Sequence, residues 1–278
     1  MLKTRVITAV VLLAVLLPVL FLGHPLAVLA LCAVCFGAAC WEGLRLFINR
    51  MIIPAACIWT GLFVWLAYTG VQTQFMLVWG LGLLAWLVKF LPAFYFGLPA
   101  SGSASNRIYS AMYLICIMGC FLAMLVLQRH SAAYLLSVML IVWIADVGAY
   151  FFGKAFGRRK LAPSISPGKS WEGALGGWIC VVTIGALSTQ VPVLADTFSV
   201  MLLRNWGWPG LILVLSLLTA ASVTGDLVES QLKRRAQMKD SSNLLPGHGG
   251  VLDRIDALIP VLPLAVLIQT MIEISSKS

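Results

Sequence analysis

The sequence predicts an all-α polytopic integral membrane protein with about nine transmembrane helices, a cytoplasmic N-terminus and a functional site at the cytoplasmic interface. Of its 278 residues, 61% are hydrophobic and 10% are charged, whereas charged residues make up about 25% of a typical soluble domain. One helical crossing takes roughly 20 apolar residues. Most of the chain therefore lies in lipid, and the composition excludes a soluble globular protein.

Nine apolar runs divide the chain into predicted membrane crossings. The second run is the weakest, because it is short and contains several small residues. In chain order the runs are Val6 to Leu22, Pro25 to Cys40, Ile52 to Thr69, Gln74 to Leu91, Tyr109 to Leu127, Ala132 to Phe152, Gly173 to Leu194, Trp208 to Leu227 and Ala257 to Ile274.

The basic residues indicate the orientation, since cytoplasmic loops of membrane proteins carry an excess of Lys and Arg. With a cytoplasmic N-terminus and nine crossings, 16 of the 19 Lys and Arg lie inside, and only Arg129, Arg204 and Lys277 lie outside. The net charge of +9 thus indicates topology and not nucleic-acid binding. A signal peptide cleaved after Ala30 is the alternative for the first run, and N-terminal sequencing would distinguish the two.

The chemistry is concentrated in the second half of the chain. Residues 1–130 form the predicted N-terminal helices, and residues 131–278 form a catalytic region with cytoplasmic loops at 153–172 and 229–254. In the first half, Glu42 and Lys89 are predicted to be interfacial side chains that reach toward water.

Three smaller features of the sequence have structural interpretations. The seven cysteines lie in apolar segments without a nearby cluster of histidines, which favours a packing role over metal binding. The residues from Ser101 to Asn106 are predicted to form a flexible turn, and those from Pro192 to Gly207 a loop.

The first cytoplasmic loop combines glycines with basic side chains, the pattern of a phosphate-binding segment. Glycine allows close backbone approach, and basic groups complement phosphate oxygens; the alternative is an ordinary positive-inside loop. An acidic residue near the end of the preceding apolar run favours a functional role, because ionisable groups are costly in a membrane. The candidates are Asp146, Arg158, Lys169, Ser170 and Glu172.

The second loop begins on a predicted extension of the eighth helix. Asp226, Glu229, Ser230 and Lys233 are spaced at i, i+3, i+4 and i+7, so they share one helix face. The residues from Pro246 to Gly250 cannot continue a helix and predict a tight turn.

Acids and bases are equally dense along this loop, which leaves two interpretations open. One is a solvated linker with many salt bridges. The other is a metal-phosphate site, in which carboxylates hold Mg²⁺ and cations hold the phosphates that the metal bridges. His248 could act as a general acid or base. A contact with a phosphate or leaving group is favoured, because transfer to an ionised nucleophile needs little proton transfer. The candidates are Asp226, Lys233, Arg234, Lys239, Asp240, His248, Gly249, Gly250, Asp253 and Asp256.

The blocks from Ser230 to Asp256, Asp146 to Tyr150, Ser166 to Gly173 and Gly225 to Ser230 resemble the signature of phosphatidate cytidylyltransferases. The resemblance covers roughly the last 130 residues. It implies transfer of the cytidylyl group of CTP to phosphatidate, giving CDP-diacylglycerol and pyrophosphate.

The resemblance also implies a cofactor and a location. Members depend on Mg²⁺, and the family's metal site corresponds to Asp226 and Asp253. We expect Asp256 to contact the same metal directly or through water. Some members bind K⁺ beside Mg²⁺, and some are homodimers. The expected location is the inner (cytoplasmic) membrane of a bacterium, where the bilayer supplies phosphatidate and the cytosol supplies CTP.

Two other functions compete with this interpretation. A CTP-dependent polyprenol or phytol kinase would share the membrane helices and the nucleotide chemistry. An ion-coupled transporter would use Asp146 and Asp226 as ion ligands, although such proteins place these groups near the middle of broken helices in paired repeats.

Overall fold

Helices form most of the protein in the computed structural model, which describes residues 2–47 and 51–276. Lys277, which the charge count places outside, lies beyond the described residues. The helices are α1 (Leu2–Leu22), α2 (Pro25–Leu46), α3 (Ile52–Thr69), α4 (Gln72–Ala85), α5 (Leu91–Phe96), α6 (Ala104–His130), α7 (Ala132–Phe156), α8 (Trp171–Ser188), α9 (Phe198–Arg235), α10 (Leu252–Ile255) and α11 (Leu258–Ser275). A π-helical segment, Trp86–Phe90, joins α4 to α5, and a 3-10 turn, Pro192–Leu194, precedes α9.

Each predicted membrane crossing falls on a helix, although the seventh run, Gly173 to Leu194, continues six residues beyond the end of α8 at Ser188. Within the described residues, eight helical segments are long and apolar enough to span a bilayer, and the apolar part of α1, Val10–Leu22, is shorter. The weakest predicted run belongs to α2, which is a continuous helix of 22 residues. The prediction of an all-α polytopic fold is therefore confirmed, while the orientation and the division at residue 130 stay predictions.

Three local expectations are corrected by the structure. A small antiparallel hairpin, β1 (Lys160–Ala162) and β2 (Ser166–Ser170), forms in the first loop. The loop predicted before Gly207 is largely helical, because α9 begins at Phe198, is interrupted by a kink at Gly207, where φ is 63° and ψ is −168°, and then continues to Arg235. The predicted turn at residues 101–106 also ends early, because the Ser103 hydroxyl accepts a hydrogen bond from the Asn106 N–H and starts α6.

The core of the first half is an aromatic contact between α2, α3 and α6. Phe36, Phe63 and Phe121 are almost fully buried, and the rings of Phe36 and Phe63 stack with centroids 4.6 Å apart. Offset stacking of this kind adds about 0.5–1.5 kcal/mol to the burial of the rings. Four cysteines of these helices are buried and none of the seven forms a disulfide, which confirms that those four are packing residues: Cys32, Cys40, Cys116 and Cys120.

Small residues bring α7 and α8 into close contact. A Cβ atom at Gly177 would lie 2.5 Å from the Ala145 carbonyl oxygen, and one at Gly173 would lie 2.8 Å from the Ala149 carbonyl oxygen. Small residues four apart allow membrane helices to pack backbone to backbone. This contact fixes the hairpin, which lies between the two helices, at one end of the bundle.

Candidate functional site

Acidic side chains converge where α9 passes the junction between α10 and α11. A Cβ atom at Gly225 would lie 2.5 Å from the Asp256 carbonyl oxygen, so glycine is needed for this approach. Asp226 follows on α9, and its charge acts on the Asp256 carboxyl. Burial, together with the charge of Asp226, raises the pKa of Asp256 to about 7.

Lys233 on α9 connects this helix to α10 through its ammonium group. Its Nζ donates to Glu229 Oε2 on the same helix and lies 2.7 Å from Asp253 Oδ1 on α10. The Glu229 side chain is 0% exposed and that of Asp253 is 5% exposed. Ser230 Oγ also donates to Asp226 Oδ1 at 3.1 Å, so the helix face predicted from the sequence is confirmed.

The second carboxylate oxygen of Asp253 is held by the loop that precedes α10. Oδ2 accepts hydrogen bonds from the Gly250 N–H at 2.7 Å and from the Ser241 N–H and hydroxyl, both at 2.9 Å. Burial by itself would raise the pKa of Asp253, but the hydrogen bonds from Lys233 and from these backbone groups bring it below its usual value. Asp253 therefore orders the loop around α10.

The hairpin brings a second lysine to this site. Lys169 Nζ lies 2.6 Å from Asp226 Oδ2, and Arg234 on α9 donates through Nε to the Ile165 carbonyl oxygen at 3.3 Å. Asp146 on α7 is close enough for the charges of Asp226 and Lys169 to act on it. The structure thus brings together the predicted Asp146, Lys169, Asp226, Lys233, Asp253 and Asp256.

Two predicted loop residues make contacts that organise the hairpin. Ser170 is buried, and its hydroxyl accepts the Gly173 N–H at 3.1 Å at the start of α8. The Glu172 carboxylate accepts the N–H groups of Arg158 at 3.0 Å and Arg159 at 3.2 Å. Both side chains accept hydrogen bonds from backbone N–H groups of the protein itself, and their predicted role in substrate binding stays a prediction.

Other predicted residues lie on the surface around the cluster. Arg158, Lys239 and Asp240 are exposed, and none of them forms an ion pair within the described part of the chain. His248 contributes its carbonyl oxygen to Arg254, which donates through Nε and one Nη. The Nδ1 atom of His248 is buried and has no hydrogen-bond partner among the described residues, and the predicted contact of this side chain with a phosphate stays a prediction.

The predicted glycine turn is confirmed, and two of its glycines have a further role. Gly249 has a φ of +82°, and a Cβ atom there would lie 2.6 Å from Asp253 Oδ2. A Cβ atom at Gly250 would lie 2.3 Å from Glu42 Oε1. These glycines therefore leave room for carboxylates of the protein itself, whereas their predicted approach to a nucleotide stays a prediction.

Glu42 is the residue that sequence reasoning placed wrongly. It was expected to lie at the membrane interface, but it is 0% exposed. Its carboxylate accepts hydrogen bonds from the Ser242 hydroxyl and from the N–H groups of Val251 and Leu252. The available signal was an acid two residues beyond the apolar run that ends at Cys40, since an ionisable group in a membrane helix requires compensating partners.

The charges of the site suit a divalent cation. The acidic cluster is defined as Asp226, Glu229, Asp253 and Asp256. Among the described residues, two lysines form ion pairs with it, Lys169 and Lys233. Glu229 Oε1 is buried and has no donor among the described residues. No three His, Cys, Asp or Glu side chains of those residues form a ready-made metal site. The oxygen ligands and the surplus of carboxylates are nevertheless those that Mg²⁺ prefers.

An apolar cavity adjoins the cluster on the side of the helix bundle. It has a volume of about 300 Å³ and lies between α4, α6, α9 and α11. Its lining includes Thr224, which precedes Gly225 and Asp226 in α9, and Pro260, whose Cδ atom would lie 3.0 Å from a Cβ atom at Gly225. A charged cluster and an apolar cavity are thus neighbours, which suits a ligand with an anionic head and an apolar tail.

Comparison with known sequences identifies the relatives of this chain. A model of the cytidylyltransferase family matches residues 3–272. The phosphatidate cytidylyltransferase of Haemophilus influenzae is 36% identical over 291 aligned positions, covering 95% of this chain and 96% of the relative. That of Pseudomonas aeruginosa is 39% identical over 95% of each chain. The Staphylococcus epidermidis enzyme is 43% identical over 145 residues, or 51% of this chain.

Proposed function

Because the chain belongs to the cytidylyltransferase family, we propose that it transfers the cytidylyl group of CTP to phosphatidate, giving CDP-diacylglycerol and pyrophosphate. The observation that carries this proposal is the junction of the acidic cluster and its lysines with the apolar cavity beside Gly225. Phosphatidate combines a phosphate head with acyl chains, and CTP supplies the nucleotide phosphates. Both substrates can meet at such a junction.

The chemistry requires alignment more than proton transfer. A phosphomonoester carries about −1.5 to −2 charges near pH 7, so its oxygen is already ionised. This oxygen attacks the α-phosphorus of CTP, a new P–O bond forms, and the bond to the β-phosphate oxygen breaks as pyrophosphate leaves with the electron pair. Two anions repel each other, so the site must neutralise and orient them.

A divalent metal, Mg²⁺, fits the acidic cluster. Asp226, Asp253 and Asp256 would hold it, and Glu229 Oε1, which has no hydrogen-bond donor among the described residues, lies in the same cluster. Bound Mg²⁺ supplies charge neutralisation between phosphate oxygens and carboxylates. K⁺ is a candidate second cation for the same surplus of negative charge.

Basic side chains at the rim of the cluster are the proposed phosphate contacts. Lys169 is 26% exposed beside Asp226, so its ammonium group can reach an incoming anion. Lys233 is more enclosed, at 13% exposed, and we expect it to hold Asp253 and Glu229 in place. Arg158, Arg234 and Lys239 lie further out, where they can attract CTP from solution.

The protein is a multi-pass membrane protein, and we place it in the cytoplasmic membrane of a bacterium, with the acidic cluster facing the cytosol. Two of the relatives that match along nearly the whole chain are from Haemophilus influenzae and Pseudomonas aeruginosa. The predicted inside surface carries most of the basic residues. A homodimer is compatible with the apolar outer faces of the helices.

The test is an assay of the purified protein with phosphatidate, Mg²⁺ and labelled CTP. Label from the cytidine ring should enter the lipid fraction, and label from the γ-phosphate should leave as pyrophosphate. Transfer of only the γ-phosphate to lipid would refute cytidylyl transfer and indicate a kinase. Ion-driven uptake into proteoliposomes without nucleotide would instead indicate a transporter.

Substitutions in the acidic cluster test the assignment of the site. Asp226→Asn and Asp256→Asn should each lower turnover at least about 100-fold in folded protein, because alignment and charge neutralisation are lost. Asp196→Asn is the matched control, because Asp196 pairs with His130 in a different part of the molecule. Near-normal turnover in either cluster variant would refute the proposed metal site.

A further inference from the structure

Glu42 connects the first half of the chain to the loop that leads into the acidic cluster. Its Oε1 accepts from the Ser242 hydroxyl at 2.5 Å and from the Val251 N–H at 3.1 Å. Its Oε2 accepts from the Leu252 N–H at 2.6 Å. These partners are at least 200 residues away in sequence, and both carboxylate oxygens are occupied.

The residues that Glu42 holds alternate along the chain with those that hold Asp253. Ser242 and Val251 contact Glu42, while their neighbours Ser241 and Gly250 donate to Asp253 Oδ2. A shift of the loop away from Glu42 would therefore displace donors from Asp253. Asp253 in turn holds Lys233 at 2.7 Å, so the displacement would reach the lysine at the centre of the cluster.

Neighbouring features support a fixed loop at this point. Arg45, one turn further along α2, donates to the Ser241 carbonyl oxygen at 3.2 Å. Position 250 requires glycine, because a Cβ atom there would lie 2.1 Å from Ser241 Oγ and 2.3 Å from Glu42 Oε1. The packing thus leaves the Glu42 carboxylate a single location against the loop.

We propose that Glu42 is a positioning residue for cytidylyl transfer: it holds residues 241–252 so that Asp253 and Lys233 keep the geometry that the reaction needs. This inference rests on the proposed function. An ionised carboxylate suits the role because it accepts from three donors and donates nothing itself. Burying an ionisable group costs free energy, so Glu42 is not explained by a gain in stability. Holding the loop in place for the reaction explains its presence.

The matched variants separate positioning from general stability. Glu42→Gln keeps the size of the side chain, but its NH₂ group must face a donor at one of the two oxygen positions. Ser242→Ala removes one partner and leaves Glu42 intact. Phe36→Leu, on the same helix, loosens the aromatic core of α2 without touching the loop, and it serves as the stability control.

The experiment compares turnover per folded molecule and amide hydrogen exchange in residues 241–252. Glu42→Gln should lower kcat about 10- to 100-fold, since small misplacements of reacting groups cost that much, and change KM for CTP less than about threefold. The loop amides should exchange at least tenfold faster. Ser242→Ala should show smaller changes of the same kind, and Phe36→Leu should show neither.

Two results would overturn the proposal. One is a kcat of Glu42→Gln within twofold of the unmodified protein; the other is unchanged exchange in the loop. Equal losses of kcat in Glu42→Gln and Phe36→Leu would also count against it, because they would indicate a stability effect. If the unmodified protein transfers no cytidylyl group, the proposed function fails, while the exchange measurement still shows whether Glu42 holds the loop.

Discussion

Lys233 should be the side chain whose charge matters most to the stability of the site. Its Nζ lies 2.7 Å from Asp253 Oδ1 and also donates to Glu229. At an effective dielectric constant of 20, one unit pair at that distance attracts by roughly 6 kcal/mol before desolvation is subtracted. Removing one partner of a buried ion pair costs about 3–5 kcal/mol in practice. Lys233→Met should therefore lower the free energy of unfolding by about that amount.

The measurement is equilibrium unfolding by SDS in mixed dodecyl maltoside micelles, followed by tryptophan fluorescence. The decisive comparison is a double-mutant cycle with Glu229→Gln, because Glu229 is fully enclosed and would lose the ammonium group that its carboxylate contacts. In the Lys233→Met background, Glu229→Gln should restore about 1–2 kcal/mol, within the usual range of coupling between contacting residues.

Two outcomes would refute this reasoning. A loss below about 1 kcal/mol in Lys233→Met would show that the pair is effectively solvated. Additive effects of Lys233→Met and Glu229→Gln would show that the two groups do not interact in the folded protein. Since unfolding is measured without substrates, neither outcome depends on the proposed reaction.

Two further predictions concern the loops. Gly250→Ala should lower the free energy of unfolding by about 1–3 kcal/mol, because its Cβ atom would meet Glu42 Oε1 at 2.3 Å. Gly168→Ala is the control and should be neutral, because no atom lies within 4 Å of the new Cβ. Equal losses of stability in the two variants would contradict this prediction. Glu172→Gln should weaken the hydrogen bonds that the carboxylate accepts from the N–H groups of Arg158 and Arg159. Trypsin should therefore cut after Arg159 faster than in the unmodified protein. An unchanged cleavage rate would show that Glu172 does not hold this segment.

The helices could be predicted from the sequence because each depends on a local property. An apolar run about as long as the bilayer is thick must form a helix there, since lipid offers its backbone no partners. The shared face of Asp226, Glu229 and Lys233 likewise follows from helical spacing alone. The helical segment before the kink at Gly207 could not be found in this way, because Gly207 and Pro209 separate it from the apolar run that follows, and such residues usually end helices.

The contacts of Glu42 and Asn106 could not be predicted because they join distant segments. Asn106 looked like part of a polar turn, but its side chain donates to the Phe47 carbonyl oxygen at 3.0 Å and accepts from Arg235 at 2.8 Å. Both side chains satisfy backbone groups at the ends of other helices. Such partners depend on the tertiary arrangement, and a single sequence contains no periodic signal for them.

The same contacts change the role expected of the N-terminal helices. Arg235, the last residue of α9, donates to the carbonyl oxygens of Leu46 and Pro99 as well as to Asn106, and its guanidinium lies 4.9 Å from the Phe47 ring centroid. α9 carries Asp226, Glu229 and Lys233, so its end is fixed by residues of the first 130. Because Glu42 fixes the other side of the cluster, we infer that the apolar first half is a frame for the charged site, and the second half depends on it for geometry.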